Sequence, residues 1–346
     1  MISQHSHRKN EHVSLAEYFN RTNHHDYFNQ VHLIPKSLPE IDYDQVDPRT
    51  KVGPLHLKWP FYIEAMTGGS SETGRLNAKL ASTAKKTGVA MATGSESIAL
   101  QDPSLESTFA VVRKNDPNGV ILANLGASSS PKDVKKAIQI LQANAVEIHV
   151  NAPQELIMPE GNRHFHWLAN LQKIIQQIKI PVIIKEVGFG MSHETIRQLT
   201  QIGAKYINVS GRGGTNFAKI ENYRRSRQEL SYLADWGLTT PESLLEARQF
   251  EPQATIIASG GVKNPLDIVK AIVLGANAVG VAGTILHSLL RHGTRATSQM
   301  IFEWQRGIKI IMTMLGCQNI SQLQKEPFIL SPRLISYLKQ RHLKIN

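Results

Sequence analysis

Short apolar stretches of this 346-residue chain end again and again in residues able to touch a ligand. The endings are Met66-Thr67-Gly68-Gly69, Gly94-Ser95, Asn124-Leu125-Gly126, His149-Val150-Asn151, Lys185-Glu186-Val187-Gly188, Ser210-Gly211-Arg212-Gly213-Gly214-Thr215, Ser259-Gly260-Gly261 and Ala282-Gly283. One glycine after an apolar run is ordinarily a turn. Glycine or a small polar group after nearly every run points to backbone amides that approach a bound group closely. Ser259-Gly260-Gly261-Val262-Lys263 and Val281-Ala282-Gly283-Thr284 are the last two endings of the set. If the runs are strands of an α/β barrel, amides and a helix N-terminus at these two places hold a phosphate, with Thr215 adding a hydroxyl.

Lys185 is expected to point into the same mouth. There its cation would stand beside an electron-rich or anionic ring and stabilise negative charge on a reduced heterocycle; the alternative is a rim lysine paired with Glu186. Glu155, in His149-Val150-Asn151-Ala152-Pro153-Gln154-Glu155, has no Asp or His at cage spacing. One carboxylate with ligand phosphates and waters is nevertheless a common way to hold Mg²⁺, so the spacing leaves that metal open. His164 and His166, expected at the start of a helix, and His24-His25 read as ordinary surface histidines. Cys317 is the only cysteine, which excludes an internal disulfide or a Cys-based metal cluster and fits a reducing cytoplasm.

The elements that position these groups follow from the hydrophobic pattern. Apolar runs at Phe61–Ala65, Val89–Ala92, Val120–Ala123, Val146–Val150, Val182–Ile184, Tyr206–Val209, Thr255–Ala258 and Ala278–Val281 are short and largely non-alternating, as parallel strands covered on both faces should be. Amphipathic segments separate them. Pro131–Leu141 opens on proline and carries Val134, Ile138 and Leu141 on one face; Pro265–Leu274 repeats the design and Gly275 stops it. Eight strand–helix alternations predict a (β/α)8 barrel, with an open doubly wound sheet as the alternative. Residues 1–60 form an N-terminal extension and 61–346 the barrel with C-terminal helices. The segment Gly211–Thr239 is too long for a simple connection and reads as a functional loop. No leader or membrane-spanning run is visible. The net charge of +11 is dispersed or gathered in the C-terminal region, without a basic arm, so nucleic acid is not an expected partner.

Taken together, Arg8-Lys9-Asn10-Glu11-His12, Ala65–Gly69, Gly94-Ser95, His149-x-Asn151-x-x-Gln154-Glu155, Pro159-Glu160-Gly161, Lys185-Glu186-Val187-Gly188 and Ser210–Thr215 resemble type 2 isopentenyl-diphosphate isomerase. The resemblance runs in order from Arg8 to about Gly283. It implies reduced FMN, NADPH as the reductant, Mg²⁺, a small diphosphate substrate and a homo-octamer built from tetramers. Position by position it implies FMN contacts at Ala65, Met66, Thr67, Ser95, Asn124, Lys185, Ser210, Thr215, Gly261, Val262, Lys263, Ala282 and Gly283. It also implies a diphosphate clamp at Arg8 and Lys9, a substrate contact at Gln154, positioning roles for His149, Asn151 and Gln154, and a metal ligand at Glu155. Arg224, Arg225 and Arg227 of the long loop are candidates to reach a neighbouring subunit. One departure stands out: Ser97 occupies a position where many relatives carry arginine, and it cannot make a bidentate cationic contact.

The implied reaction makes chemical sense of this set. Protonating isopentenyl diphosphate at its terminal alkene carbon gives a tertiary cation, and losing a proton from the adjacent methylene moves the double bond. No net electrons are exchanged. The expectation is that reduced flavin, near N5, delivers and takes the protons while its electron-rich face stabilises the cation. The rivals are a net FMN-dependent oxidoreductase of the 2-hydroxy-acid oxidase kind and a silent flavin- or phosphate-binding protein.

Overall fold

In a computed structural model that describes residues 4–21, 25–250 and 253–344, the eight runs form one closed parallel barrel. Its strands are β1 (Phe61–Ile63), β2 (Ala90–Ala92), β3 (Ile121–Gly126), β4 (Ala145–His149), β5 (Val182–Lys185), β6 (Tyr206–Asn208), β7 (Thr255–Ser259) and β8 (Ala278–Val281). Each strand pairs with the next, and β8 closes on β1 through Val279↔Phe61, Gly280↔Tyr62 and Val281↔Ile63. Closure rules out the open sheet. The expected helices are present and capped as their sequences direct. Before Pro131–Leu141, Ser130 Oγ accepts from Asp133 N at 3.2 Å while Asp133 accepts from Ser130 N at 2.9 Å. Pro265–Val273 ends just before Gly275, whose φ of +110° only glycine adopts readily.

Alternation along the strands sorts the interior into layers. One residue set packs outward against helices: Ile63, Met91, Ile121, Ala123, Val146, Ile148, Ile184 and Ile207. The inward set begins apolar, with Tyr62, Ala90, Leu122, Ala145, Ile183, Ile257 and Ala278. Val52 and Leu57, from the ribbon Thr50–Val52 and Leu55–Leu57, pack into this apolar end. Two residues further along, the inward positions of six strands turn polar, Glu64, Asn124, Glu147, Lys185, Asn208 and Ser259, while β2 and β8 place the small Ala92 and Gly280 there. The change from apolar to polar along the axis puts the chemistry at the strands' C-terminal ends.

Residues before β1 do not form a separate body. Val31–Leu33 pairs antiparallel with Phe328–Leu330, and Asp47 bridges Asn319, so the N-terminal extension is sewn to the C-terminal helices. The helix Gln4–Arg21 packs against Gly283–Met314 and Phe217–Tyr223. The segment Gly211–Thr239 contains Phe217–Tyr223 and a 3₁₀ turn at Ser231–Leu233. His164 and His166 precede the helix Leu168–Gln177 rather than opening it; His24 lies outside the described residues.

Candidate active site

The strand ends and the helix Gln4–Arg21 enclose a cavity of about 270 Å³. Its floor and walls are Ala65, Met66, Ser95, Asn124, His149, Lys185, Ser210, Thr215, Gly261, Val262, Lys263, Ala282 and Gly283; across the mouth stand Arg8, Lys9, Asn151, Gln154 and Glu155. Every candidate residue therefore borders one space except Thr67, which is buried behind it and packs its backbone against Gly94. Its Oγ1 has no hydrogen-bond partner among the described residues.

The β7 and β8 endings make a glycine cradle. Gly261 (φ +73°) lies against the Gly213–Gly214 turn so closely that a Cβ on Gly214 would sit 2.9 Å from the Gly261 nitrogen. The helix Gly283–Met314 begins at the same place, and Thr284 Oγ1 ties the two endings by donating to Val262 O at 2.7 Å. Lys263 Nζ, at the rim, donates to His25 O at 2.7 Å. Bare backbone, a helix N-terminus and a lysine are the donor set for a phosphate.

At the floor, Lys185 is buried. Its Nζ is 3.7 Å from Glu64 Oε1 and donates to Glu186 O at 3.1 Å. Burial alone would pull this ammonium down, but Glu64, Glu147 and Glu186 outweigh it and hold its pKa above the ordinary lysine value. Lys185 is thus a permanent cation facing the cavity, not a rim lysine paired to the Glu186 side chain. That carboxylate turns away and accepts from the amides of Gly188, Phe189 and Gly190 at 2.6 to 2.9 Å. Glu64 fits inside the barrel because β8 offers Gly280, where a Cβ would lie 2.3 Å from Glu64 Oε2. His149 meets Asn124 through Nδ1 at 2.9 Å. Burial, then Lys185 and Lys9, push its pKa down to about 3, so it is neutral.

The mouth is a lattice of oriented groups. Gln154 donates to Glu221 at 3.0 Å and accepts from Asn151 at 3.2 Å. Asn151 also donates to Glu155 at 3.1 Å, and Asn162 N donates to the other Glu155 oxygen at 2.6 Å. His12 lies 3.0 Å from the buried Glu221. Arg224, a candidate to reach a neighbouring subunit, instead turns inward and bonds Glu221 and Glu160, each at 2.6 Å, because a buried carboxylate needs a cation. Arg225 likewise bonds Glu229 and Ile157 O within the chain. Lys9 Nζ reaches Ser95 O at 3.5 Å, and Ser97 Oγ sits 3.0 Å from Ser95 Oγ. A cation therefore does stand at the Gly-Ser turn where Ser97 supplies none. Among the described residues no group of three His, Cys, Asp or Glu side chains can cage a metal.

Fold and site together define a class, and comparison with known proteins agrees. The sequence profile of the FMN-dependent dehydrogenase family matches residues 124–330. Among solved structures, mandelate oxidase with (S)-2-phenylpropionate shares the fold at TM-score 0.66 and 18% identity, covering 93% of this chain and 90% of that one. A flavocytochrome b2 variant with benzoylformate does so at TM-score 0.67 and 19% identity, covering 95% and 82%. The chain is thus a barrel of the FMN-dependent dehydrogenase type. Within that class its near relatives are isopentenyl-diphosphate delta-isomerases. That of Latilactobacillus sakei is 50% identical, covering 98% of this chain and 97% of the relative. That of Limosilactobacillus reuteri is also 50% identical, over 99% and 100%, and that of Staphylococcus epidermidis is 46% identical over 99% of each. The chain belongs to the isopentenyl-diphosphate delta-isomerase family.

Proposed function

We propose that this protein interconverts isopentenyl diphosphate and dimethylallyl diphosphate on reduced FMN, without net oxidation or reduction. The carrying observation is the opposition of two anion sites across one cavity: the glycine cradle of β7 and β8 on one side, Arg8 and Lys9 on the other. One suits the phosphate of a resident nucleotide and the other the diphosphate of a second, smaller ligand.

The residues present fit FMN. The cradle accepts no Cβ at Gly214 or Gly261, as close backbone contact to a phosphate requires. Gly213, Gly214, Gly261, Lys263 and Gly283 would hold the phosphate, while Ala65, Met66, Ser95, Asn124, Lys185, Ser210 and Thr215 would border the ring. Bound and reduced, the flavin supplies an electron-rich face and an exchangeable proton beside the substrate alkene. Lys185 stabilises negative charge at that ring. Arg8 and Lys9 bind the diphosphate, balance its charge and so orient the alkene carried on it. Asn151 and Gln154 fix the substrate's position. Positioning of this kind supplies up to roughly 7–11 kcal/mol of a barrier.

Glu155 fits Mg²⁺ held jointly with the diphosphate: it borders the cavity and its two oxygens are oriented by Asn151 and Asn162, each keeping a lone pair. NADPH is the proposed reductant for FMN. Net oxidation of a 2-hydroxy acid is disfavoured because it needs a strong base, and His149 with a pKa of about 3 is a poor one. The reading extends to a homo-octamer of two tetramers working in the cytoplasm; light scattering at the mass of a single chain would contradict the first part.

The test is anaerobic conversion of isopentenyl diphosphate by the purified protein with FMN, NADPH and Mg²⁺, each omitted in turn. Dimethylallyl diphosphate should form in the complete mixture and disappear when FMN or Mg²⁺ is withheld. No product with saturated, reduced FMN would overturn the assignment.

A further inference from the structure

The polar layer inside the barrel poses a hydrogen-bonding problem. Tyr62 Oη lies 3.0 Å from Glu64 Oε2 and 3.0 Å from Glu147 Oε1, and it accepts from Asn208 Nδ2 at 3.2 Å. All four side chains are buried. The direction of Asn208 is fixed, since its Oδ1 accepts from Ser210 N at 3.2 Å and Ser259 Oγ at 2.9 Å. A phenol has one proton to give. With both carboxylates ionised, one of the two 3.0 Å contacts would set lone pair against lone pair in a low-dielectric interior. One of the two carboxyl groups must carry a proton.

The surroundings say which. Glu64 is ringed by donors: Oε2 accepts from Asn208 at 2.7 Å, Oε1 accepts from Ala65 N at 2.7 Å, and the Lys185 ammonium is 3.7 Å away. Glu147 has one amide donor, Asn124 Nδ2 at 3.0 Å on Oε2, and its Oε1 meets the phenol. We propose that Glu147 is a neutral carboxylic acid in the resting protein. It donates through Oε1 to Tyr62, whose hydroxyl donates in turn to an ionised Glu64.

That single proton sets the direction of the Glu147–Tyr62–Glu64 run, and leaves Glu147 Oε2 as the acceptor from which the rest of the chain continues. Asn124 offers its amide to Glu147, turns Oδ1 to His149 and requires the imidazole proton to sit on Nδ1. His149 therefore presents an unprotonated Nε2 at the cavity wall, beside Gly126. At the other end one anion, Glu64, balances one cation, Lys185, beneath the ring site. Glu147, Tyr62 and Glu64 are thus positioning residues for His149 and Lys185. The titratable groups facing them are His149, Lys185 and, behind Lys185, Glu186; Asn124, Asn208 and Ser259 are neutral. Burial, then the neighbouring Glu64, push Glu147 up to about 8, in keeping with this assignment. The consequence for the cavity rests on the FMN reading; the proton itself does not.

Infrared difference spectroscopy of the full-length protein tests it. The Glu96→Gln background removes the other buried carboxyl held near 8. A protonated-carboxyl band should be present at neutral pH, fade with a midpoint near 8, and be lost in Glu147→Gln. Its absence from the parent, or its survival in Glu147→Gln, would overturn the proposal. Glutamine at 147 offers Tyr62 the same donor and Asn124 the same acceptor, so Glu147→Gln should keep the parent's unfolding temperature at neutral pH. Glu64→Gln should lose several degrees. The reverse order would put the proton on Glu64 and sink the assignment. With FMN bound and reduced, the flavin absorption should shift across the same alkaline range in the parent and not in Glu147→Gln. Failure of the isomerase reading would leave the infrared result untouched.

Discussion

Arg8 and Lys9 are neighbours on one helix turn, yet the cavity treats them differently. Arg8 donates to Glu160 at 3.4 Å at the outer edge. Lys9 is pulled down to about 8, first by burial and then by Arg8, against the opposing pull of Glu96. A cation held with so little compensation is poised for an anionic ligand. Arg8→Ala and Lys9→Ala should each raise the KM for isopentenyl diphosphate by roughly 10–100-fold, the worth of a charge-assisted hydrogen bond. FMN affinity should be unchanged; steady-state kinetics and flavin titration check both. Because Lys9 is charged only below about 8, kcat/KM should fall as pH rises through that value. Glu96 works in the other direction. Burial raises its pKa to about 8, so between the ordinary carboxylate range and 8 the folded state binds the extra proton. Stability should decline across that window and flatten above it, and Glu96→Gln should remove this part of the decline in a denaturation series.

At the scale of elements, the strands and their endings were legible because parallel strands leave continuous apolar runs and a ligand that touches backbone demands glycine at fixed places. Gly261 carries the consequence. At φ +73°, with a Cβ 3.0 Å from the Gly213 backbone, alanine there should weaken FMN binding about tenfold or more, given roughly 1–2 kcal/mol for the backbone conformation alone. Fluorescence titration measures it. The helix Gln4–Arg21 was not legible as a helix. The face it turns to the site carries Arg8, Lys9, His12, Val13, Ala16 and Asn20, at helical spacing but mostly polar, because it covers a polar cavity and not a core. Removing residues 1–21 should leave a folded barrel that still binds FMN, seen by flavin absorption, while kcat/KM collapses.

For the molecule as a whole, the sequence pointed to the barrel and to the strand-end residues bordering the cavity, but not to Val13, Ala16, Asn20 or Phe217, which border it too, nor to the groups beneath and around it. Glu64, Glu147 and the Glu221–Arg224 pair come from three segments, and no periodicity links segments so far apart in the chain. A signal existed in two cases: a glutamate inside the apolar runs Phe61–Ala65 and Val146–Val150 is costly unless paired. Thr67 differs from the other motif residues in being buried without bordering the cavity. The central claim is that this barrel, built like those of flavin oxidoreductases, exchanges protons and not electrons with its substrate. The most direct measurement counts dimethylallyl diphosphate formed per NADPH consumed under anaerobic conditions. Many turnovers for each NADPH, with the flavin reduced throughout, is the predicted result. One NADPH consumed per product, or flavin reoxidised by substrate, would contradict it.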